Sequence, residues 1–305
     1  MNGILVLNKP AGLSSARGVA RVKRMLRAGH AGHTGTLDPF ASGVLVCCIN
    51  QATRLARFLV PRRKIYEGTL TLGIETDTQD ATGTAVTRHD WTGITAADVQ
   101  QAFQRFEGDS LQSPPAYSAL KHQGVPLYRL ARQGRPVLKP PRPIHISRIR
   151  VLAVALPQVR FEVCCSPGTY VRSLAADIGR ALGCGGHLSA LKRLESDGFT
   201  IDQALTLEAL EPLAQRGALG AALIPMANAL PEMPGVTAGT ELLGKIRHGS
   251  PLVRQDLDID RLPEPAVGNA FIKVLDARGE LAAVLERNGT SLSLKYAGVF
   301  VGSER

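Results

Sequence analysis

The sequence predicts a mixed α/β domain followed by a small β-rich domain, and three observations support that expectation. Strand-like and helix-like segments alternate through the first 200 residues. The 305-residue length exceeds that of one ordinary domain. After the linker-like stretch ALPEMPG at 229–235, short apolar runs are separated by glycines. The expected division is therefore 1–228 and 229–305.

Residues 4–7 form an apolar run that predicts a first strand, closed by Lys9-Pro10-Ala11-Gly12. Ser14 and Ser15 then cap a helix over 16–27, with Arg17, Arg21, Arg24 and Arg27 on one helical face. A solvated face is the ordinary account of such a stripe. Gly32, Gly35 and the Asp38-Pro39 step mark a loop, anchored by the apolar strand at 44–49. Residues 65–73 alternate as a strand, and 95–107 read as a helix capped at Thr95 and stopped by Gly108. Prolines within RQGRPVLKPPRPIHISRIR, at 132–150, forbid a long helix and predict an extended, protruding connection. A strand at 160–165 leads to a helix over about 173–182, ended by Gly183, which puts Arg172 at a strand-to-helix junction. Short strands at 271–275 and 281–285 complete the order.

Charge narrows the function. The net charge is +10, and residues 1–200 hold 26 Lys and Arg against 13 Asp and Glu, while 201–305 hold 10 against 13. A basic module joined to a near-neutral one fits a polyanionic partner such as nucleic acid. Residues 110–161 contain nine Lys or Arg and no acid, so this tract is expected to contact nucleic-acid phosphates. The five cysteines are odd in number and sit mostly in apolar runs without a CxxC pair, as buried thiols of a reducing compartment do. The longest apolar runs fall short of a membrane span, and the sequence predicts a soluble cytoplasmic protein.

Asp38 is the only acidic residue among the first 66, which also carry eleven lysines and arginines. With no neighbouring acid to share a proton, it suits a nucleophile or base better than one half of an acid pair. A turn aspartate is the competing reading. Four motifs give Asp38 company: HTGTLDPFASGVL, KIYEGTLTLGIETDTQDATG, PPAYSALK and GTYVRSLAADIGRALGCGGHLSALKRL, in that order. Together they resemble the TruB family, the bacterial tRNA pseudouridine synthase B enzymes, across nearly all of the first 200 residues. The resemblance implies an α+β pseudouridine-synthase fold with a mixed, largely antiparallel sheet. It also implies isomerisation of the T-loop uridine at position 55 of tRNA, without cofactor or metal, by a monomer with no protein partner.

Carried over by residue, the resemblance makes Asp38 the catalytic aspartate and Tyr66 the ring that stacks on the target base. Arg172 pairs with the aspartate, Leu191 lines the base pocket, and His33 helps hold the opened loop. The expected RNA-contacting residues are Lys64, Arg132, Arg135, Lys139, Arg142, Arg148 and Arg150. The segment beyond 228 resembles the PUA domain appended to such enzymes. Other readings have their own features. Glu75, Asp77 and Asp80 could serve a metal-dependent nuclease, though their spacing better suits a strand-to-turn connection. The same basic surface could serve a non-catalytic RNA-folding factor. His30 and His33 lack a third ligand of suitable spacing, and no metal is expected.

Overall fold

The computed structural model describes residues 1–59, 63–257, 271–287 and 293–301. In chain order the first unit runs β1 (Gly3–Lys9), α1 (Ser15–Met25), β2 (Ala31–His33), β3 (Ser42–Ile49), β4 (Lys64–Leu72), β5 (Ile74–Thr76), β6 (Ala85–Arg88), α2 (Ala96–Gln104) and β7 (Gly108–Gln112). It continues with β8 (Lys121–His122), β9 (Val125–Pro126), α3 (Leu127–Arg132), β10 (Arg142–Ala155), β11 (Gln158–Cys165), α4 (Val171–Ala181), β12 (Gly186–Ser196), β13 (Phe199–Thr200) and α5 (Leu207–Gln215). The last part holds β14 (Gly235–Thr237), α6 (Thr240–His248), β15 (Leu252–Val253), β16 (Phe271–Leu275), β17 (Leu281–Arg287) and β18 (Ser293–Val299).

One nine-stranded sheet organises the first unit in the order β1-β3-β12-β4-β11-β10-β7, with β2 on β3 and β13 on β12. Only the β12–β3 pairing is parallel, so the sheet is mixed and largely antiparallel. The parallel contact depends on Gly43, whose φ is +103°, because a side chain there would collide with the Arg193 backbone. The pairings Arg193↔Gly43 and Arg193↔Tyr66 define one face of the sheet. On that face α2 and α4 cover Tyr66, Leu70, Phe161 and Val163, while α1 and α5 cover Leu5, Leu7, Leu45 and Cys47. On the other face Val44, Val46 and Cys48 join a core with Phe58, Val284 and Phe300 that ties in the C-terminal sheet, ordered β14-β16-β17-β18-β15. No helix among the described residues is long and apolar enough to cross a membrane.

Local signals explain the helix ends. Thr95 and Asp98 form a capping box at α2, and the Ser14 hydroxyl accepts from the Arg17 amide at α1. The segment 132–150 departs from expectation. Only 133–141 is irregular, and β10 is a 14-residue strand bonded to β7 on one side and β11 on the other. Its prolines cluster before Ile144, after which Ile144, Ile146 and Ile149 point into the core and a strand becomes favourable. The C-terminal unit is β-rich as expected, and it also contains α6.

Candidate active site

The loop between β2 and β3 carries Asp38 and is held from both sides. Before Asp38, the Arg193 guanidinium donates to Gly35 O at 3.0 Å and Thr36 O at 3.3 Å, and its Nε donates to Val44 O on β3 at 2.7 Å. After it, Lys9 Nζ donates to Ala41 O at 2.6 Å and reaches Pro39 O at 3.4 Å, with Leu13 O at 2.6 Å. Ser15 Oγ also bonds both the amide and the carbonyl of Leu37, each at 2.8 Å. Lys9 and Arg193 are almost fully buried and bind carbonyl oxygens in place of carboxylates. Burial pushes the Lys9 ammonium down to about 8, against the opposing pull of Asp38.

Arg172 lies in the first turn of α4, buried, and grips Asp38 with both prongs: Nε to Oδ2 at 2.8 Å and Nη2 to Oδ1 at 3.4 Å. Its remaining donors go to Thr78 O and Tyr117 O, both at 2.9 Å. Asp80 Oδ2 stands 3.7 Å away, so the guanidinium sits between two carboxylates. Asp80 is itself fixed by the Thr78 hydroxyl and by the Thr82 amide and hydroxyl, in the turn joining β5 to β6. The Asp38 side chain remains 34% exposed, which leaves it open to a bound molecule.

Asp38 opens into a cavity of about 290 Å³ lined by Thr36, Leu37, Lys64, Tyr66, Leu191 and the turns 118–120 and 168–172. Tyr66 and Leu191 supply an aromatic and an aliphatic wall from neighbouring strands. Burial raises the Tyr66 hydroxyl to about 12 even though Arg193 opposes it, so the phenol stays protonated at neutral pH. Lys64 lines the cavity, with its affinity for a proton lowered chiefly by burial. His33, on β2, is lowered by burial and then by the Arg193 charge, and its Nδ1 is buried without a hydrogen-bond partner. It does not line the cavity itself.

The expected RNA-contacting residues divide. Arg132 closes α3 and stacks over Tyr128 at 5.6 Å, while Lys139 reaches His122 at 3.2 Å. Arg135 is exposed, and Arg142 shares its sheet face with Ile144 and acts electrostatically on Tyr170 at the cavity rim. Arg148 and Arg150 do not join them. The register Lys192↔Glu67↔Glu162↔Arg150 puts Arg150 on the face opposite Tyr66, and a bulge after Ile146 turns Arg148 the same way, onto Glu162 at 2.9 Å. The acid-free tract is thus balanced from outside, by carboxylates on β4 and β11.

Sequence reasoning misses Lys9, Arg193 and Asp80 as parts of the site. A usable signal existed for the first two: each is a cation at an inward-facing position of a strand, where an unpartnered charge is costly. It also misses Tyr117, whose carbonyl takes one Arg172 donor.

Comparison with known proteins adds an independent line. The family description "TruB family pseudouridylate synthase (N terminal domain)" matches residues 23–171, and "tRNA pseudouridylate synthase B C-terminal domain" matches 172–231. The two matches meet at Val171 and Arg172, within α4. The chain is 44% identical over 258 residues to tRNA pseudouridine synthase B of Geobacter sulfurreducens, covering 85% of each chain. Identity to the protein of the same name from Syntrophobacter fumaroxidans is 43% over 284 residues, covering 93% of this chain and 92% of the relative. Among solved structures, a chain from a Cbf5–Nop10–Gar1 complex superposes with a TM-score of 0.73 at 26% identity, covering 98% of this chain and 85% of the other.

Proposed function

This chain belongs to the TruB family of tRNA pseudouridine synthases, and from that premise we propose that it converts the T-loop uridine at position 55 of tRNA to pseudouridine with Asp38 as the reacting carboxylate. The observation that carries the reading is the two-pronged Arg172 grip on an accessible Asp38 at the floor of a cavity walled by Tyr66 and Leu191.

The chemistry asks little more than this. The N1–C1′ bond breaks, the uracil turns, a C5–C1′ bond forms, and the proton on C5 departs. No electrons are gained or lost overall. Asp38 either adds to C1′ or removes the 2′ proton to give a glycal, and both routes need a carboxylate oxygen held at the sugar. Arg172 fixes that oxygen through paired, charge-assisted bonds, leaving little orientational freedom to lose at the moment of reaction. The buried base must leave its stack to reach the cavity. Tyr66 offers a flat face to the detached ring and Leu191 an apolar wall behind it. The C5 proton leaves last, to water at the cavity mouth, while N1, freed from the sugar, gains one, so the product is an isomer of the substrate. The Tyr66 phenol, already protonated, takes part only as a hydrogen-bonding neighbour.

Lys64 at the cavity, with Arg132, Arg135, Lys139 and Arg142 on the segment bordering it, forms the proposed phosphate-contacting surface, and His33 supports the opened loop. Arg148 and Arg150 are left out of that surface. The unit beyond 228 is the proposed PUA-like RNA-binding domain. Incubating the purified protein with an unmodified tRNA transcript and mapping pseudouridine at nucleotide resolution tests the assignment. Modification at position 55 is expected; a transcript left unmodified, or modified elsewhere, overturns it.

A further inference from the structure

We propose that the exposed face of α1 is a second phosphate-binding surface for the substrate tRNA, a reading that rests on the RNA substrate proposed above. The helix buries Ser15, Gly18, Val19 and Val22 and presents Arg17, Arg21, Lys23 and Arg24 outward, with Arg27 just past its end. It contains no acid. Among the described residues none of these five cations is in an ion pair, although Glu208 on α5 is close enough to feel Arg21.

Intrahelical stability accounts for only one end of the stripe, since Lys23 and Arg24 lie in the last turn, where the helix dipole favours cations. Arg17 lies in the first turn, where the helix dipole disfavours a cation, and Arg17–Arg21 and Arg21–Arg24 set like charges at neighbouring surface positions. Solubility alone is served by mixed signs, not by a one-sign face. An anionic occupant removes both penalties. From Arg17 to Arg27 the stripe runs about 15 Å, comparable with roughly four successive phosphates along one strand.

Placement joins this face to the site. Leu45 and Cys47, under α1, share the sheet face of Arg193 and Tyr66, so α1 stands on the cavity side. Its N-terminus touches the loop of Asp38 directly, through Ser15 to Leu37 and through the Gly12 amide to Pro39 O at 2.7 Å. On the other side of Asp38, Arg172 leads to Tyr117 and the segment carrying Arg132 to Arg142. Asp38 therefore lies between two basic arms.

The test compares the triple variant Arg17→Gln, Arg21→Gln, Arg24→Gln with its charge-keeping counterpart Arg17→Lys, Arg21→Lys, Arg24→Lys. Binding of an unmodified tRNA transcript is measured across a salt series, and single-turnover pseudouridine formation is measured at saturating enzyme. The glutamine variant is expected to bind more weakly, with the slope of log Kd against log salt shallower by about 2 or more. The lysine variant should keep the wild-type slope, and both should keep the wild-type rate once RNA is saturated. A glutamine variant with unchanged slope, or a lysine variant that loses the slope equally, overturns the proposal. Wild-type protein that leaves the transcript unmodified instead overturns the functional reading, and is seen in the same series.

Discussion

The two faces of the central sheet use the same charged residue types in opposite ways. Behind β4, Lys192, Glu67, Glu162 and Arg150 stand in register, with Arg148 on Glu162 at 2.9 Å and Arg160 on Glu67 at 3.3 Å. These are water-accessible pairs, each worth about 0–1 kcal/mol. On the cavity face Lys9, Arg172 and Arg193 are all 3% exposed or less. Lys9 binds carbonyls, Arg193 binds three carbonyls and the Tyr66 hydroxyl, and Arg172 divides its donors between Asp38 and two carbonyls. Desolvating three cations is costly, so this arrangement is explained by the position it enforces on one loop and not by the stability it adds.

If the cavity face is the reactive one, its largest sensitivity is Asp38. Asp38→Asn keeps the shape and loses the carboxylate; turnover is expected to fall by at least about a thousandfold, with tRNA binding near wild type. Appreciable activity in the asparagine protein, measured by pseudouridine formation, would remove Asp38 from the chemistry. Arg172→Lys comes next. Lysine keeps the charge without the planar fork, and a displacement of about 1 Å can cost on the order of a hundredfold. That loss should sit in the single-turnover rate while tRNA affinity changes little. A lysine variant as fast as wild type would mean that Arg172 supplies charge alone.

Arg193 and Lys9 sharpen the comparison further, since neither touches the cavity through its own charged end. Arg193→Lys cannot reach three carbonyls around the Asp38 loop, and a rate loss of about tenfold or more is expected with tRNA affinity preserved. Equal losses in rate and affinity would mark a general folding defect. Lys9 shows its burial through pH. Its proton affinity falls from the ordinary 10.5 to about 8 on folding. Between those values the unfolded chain binds more protons, so this group makes stability rise with pH there and disfavours folding below about 8. In Lys9→Met the rise should flatten, as read from thermal midpoints between pH 7 and 10.

How much of this is visible in the sequence depends on what each residue binds. Asp38, Tyr66, Arg172 and Leu191 act on one another or on substrate, and they sit in motifs whose residue types point to that chemistry. Arg193 and Lys9 bind mainly backbone oxygens, which every residue has, so no acidic partner betrays them. Strand parity would have: Arg193 follows Leu191 on the inward positions of β12, and Lys9 follows Leu7 on those of β1. The acid-free stretch from 110 to 161 misleads for a related reason. Charge counted along the chain ignores Glu162 and Glu67, which arrive from adjacent strands to pair with Arg148 and Arg160 and to stand opposite Arg150 in register. Prolines likewise describe 133–141 correctly and are silent about the strand that begins at Arg142.

The smallest expected effect is the one that separates the faces most directly. Arg148→Gln with Arg150→Gln removes two charges from the acid-free tract, yet both point away from Tyr66; Arg148 pairs with Glu162, and Arg150 stands opposite Glu162 in the strand register. The salt dependence of tRNA binding should therefore stay within experimental scatter of wild type. Arg132→Gln with Arg142→Gln removes the same formal charge from the cavity side and should flatten the slope by about 0.7–0.9 per lost contact. Net charge changes equally in the two double variants, so any difference between them reports placement alone. A matching loss in both would show that the RNA reaches around the edge strand β7 to the back of the sheet, and the division of the tract into two faces would fail.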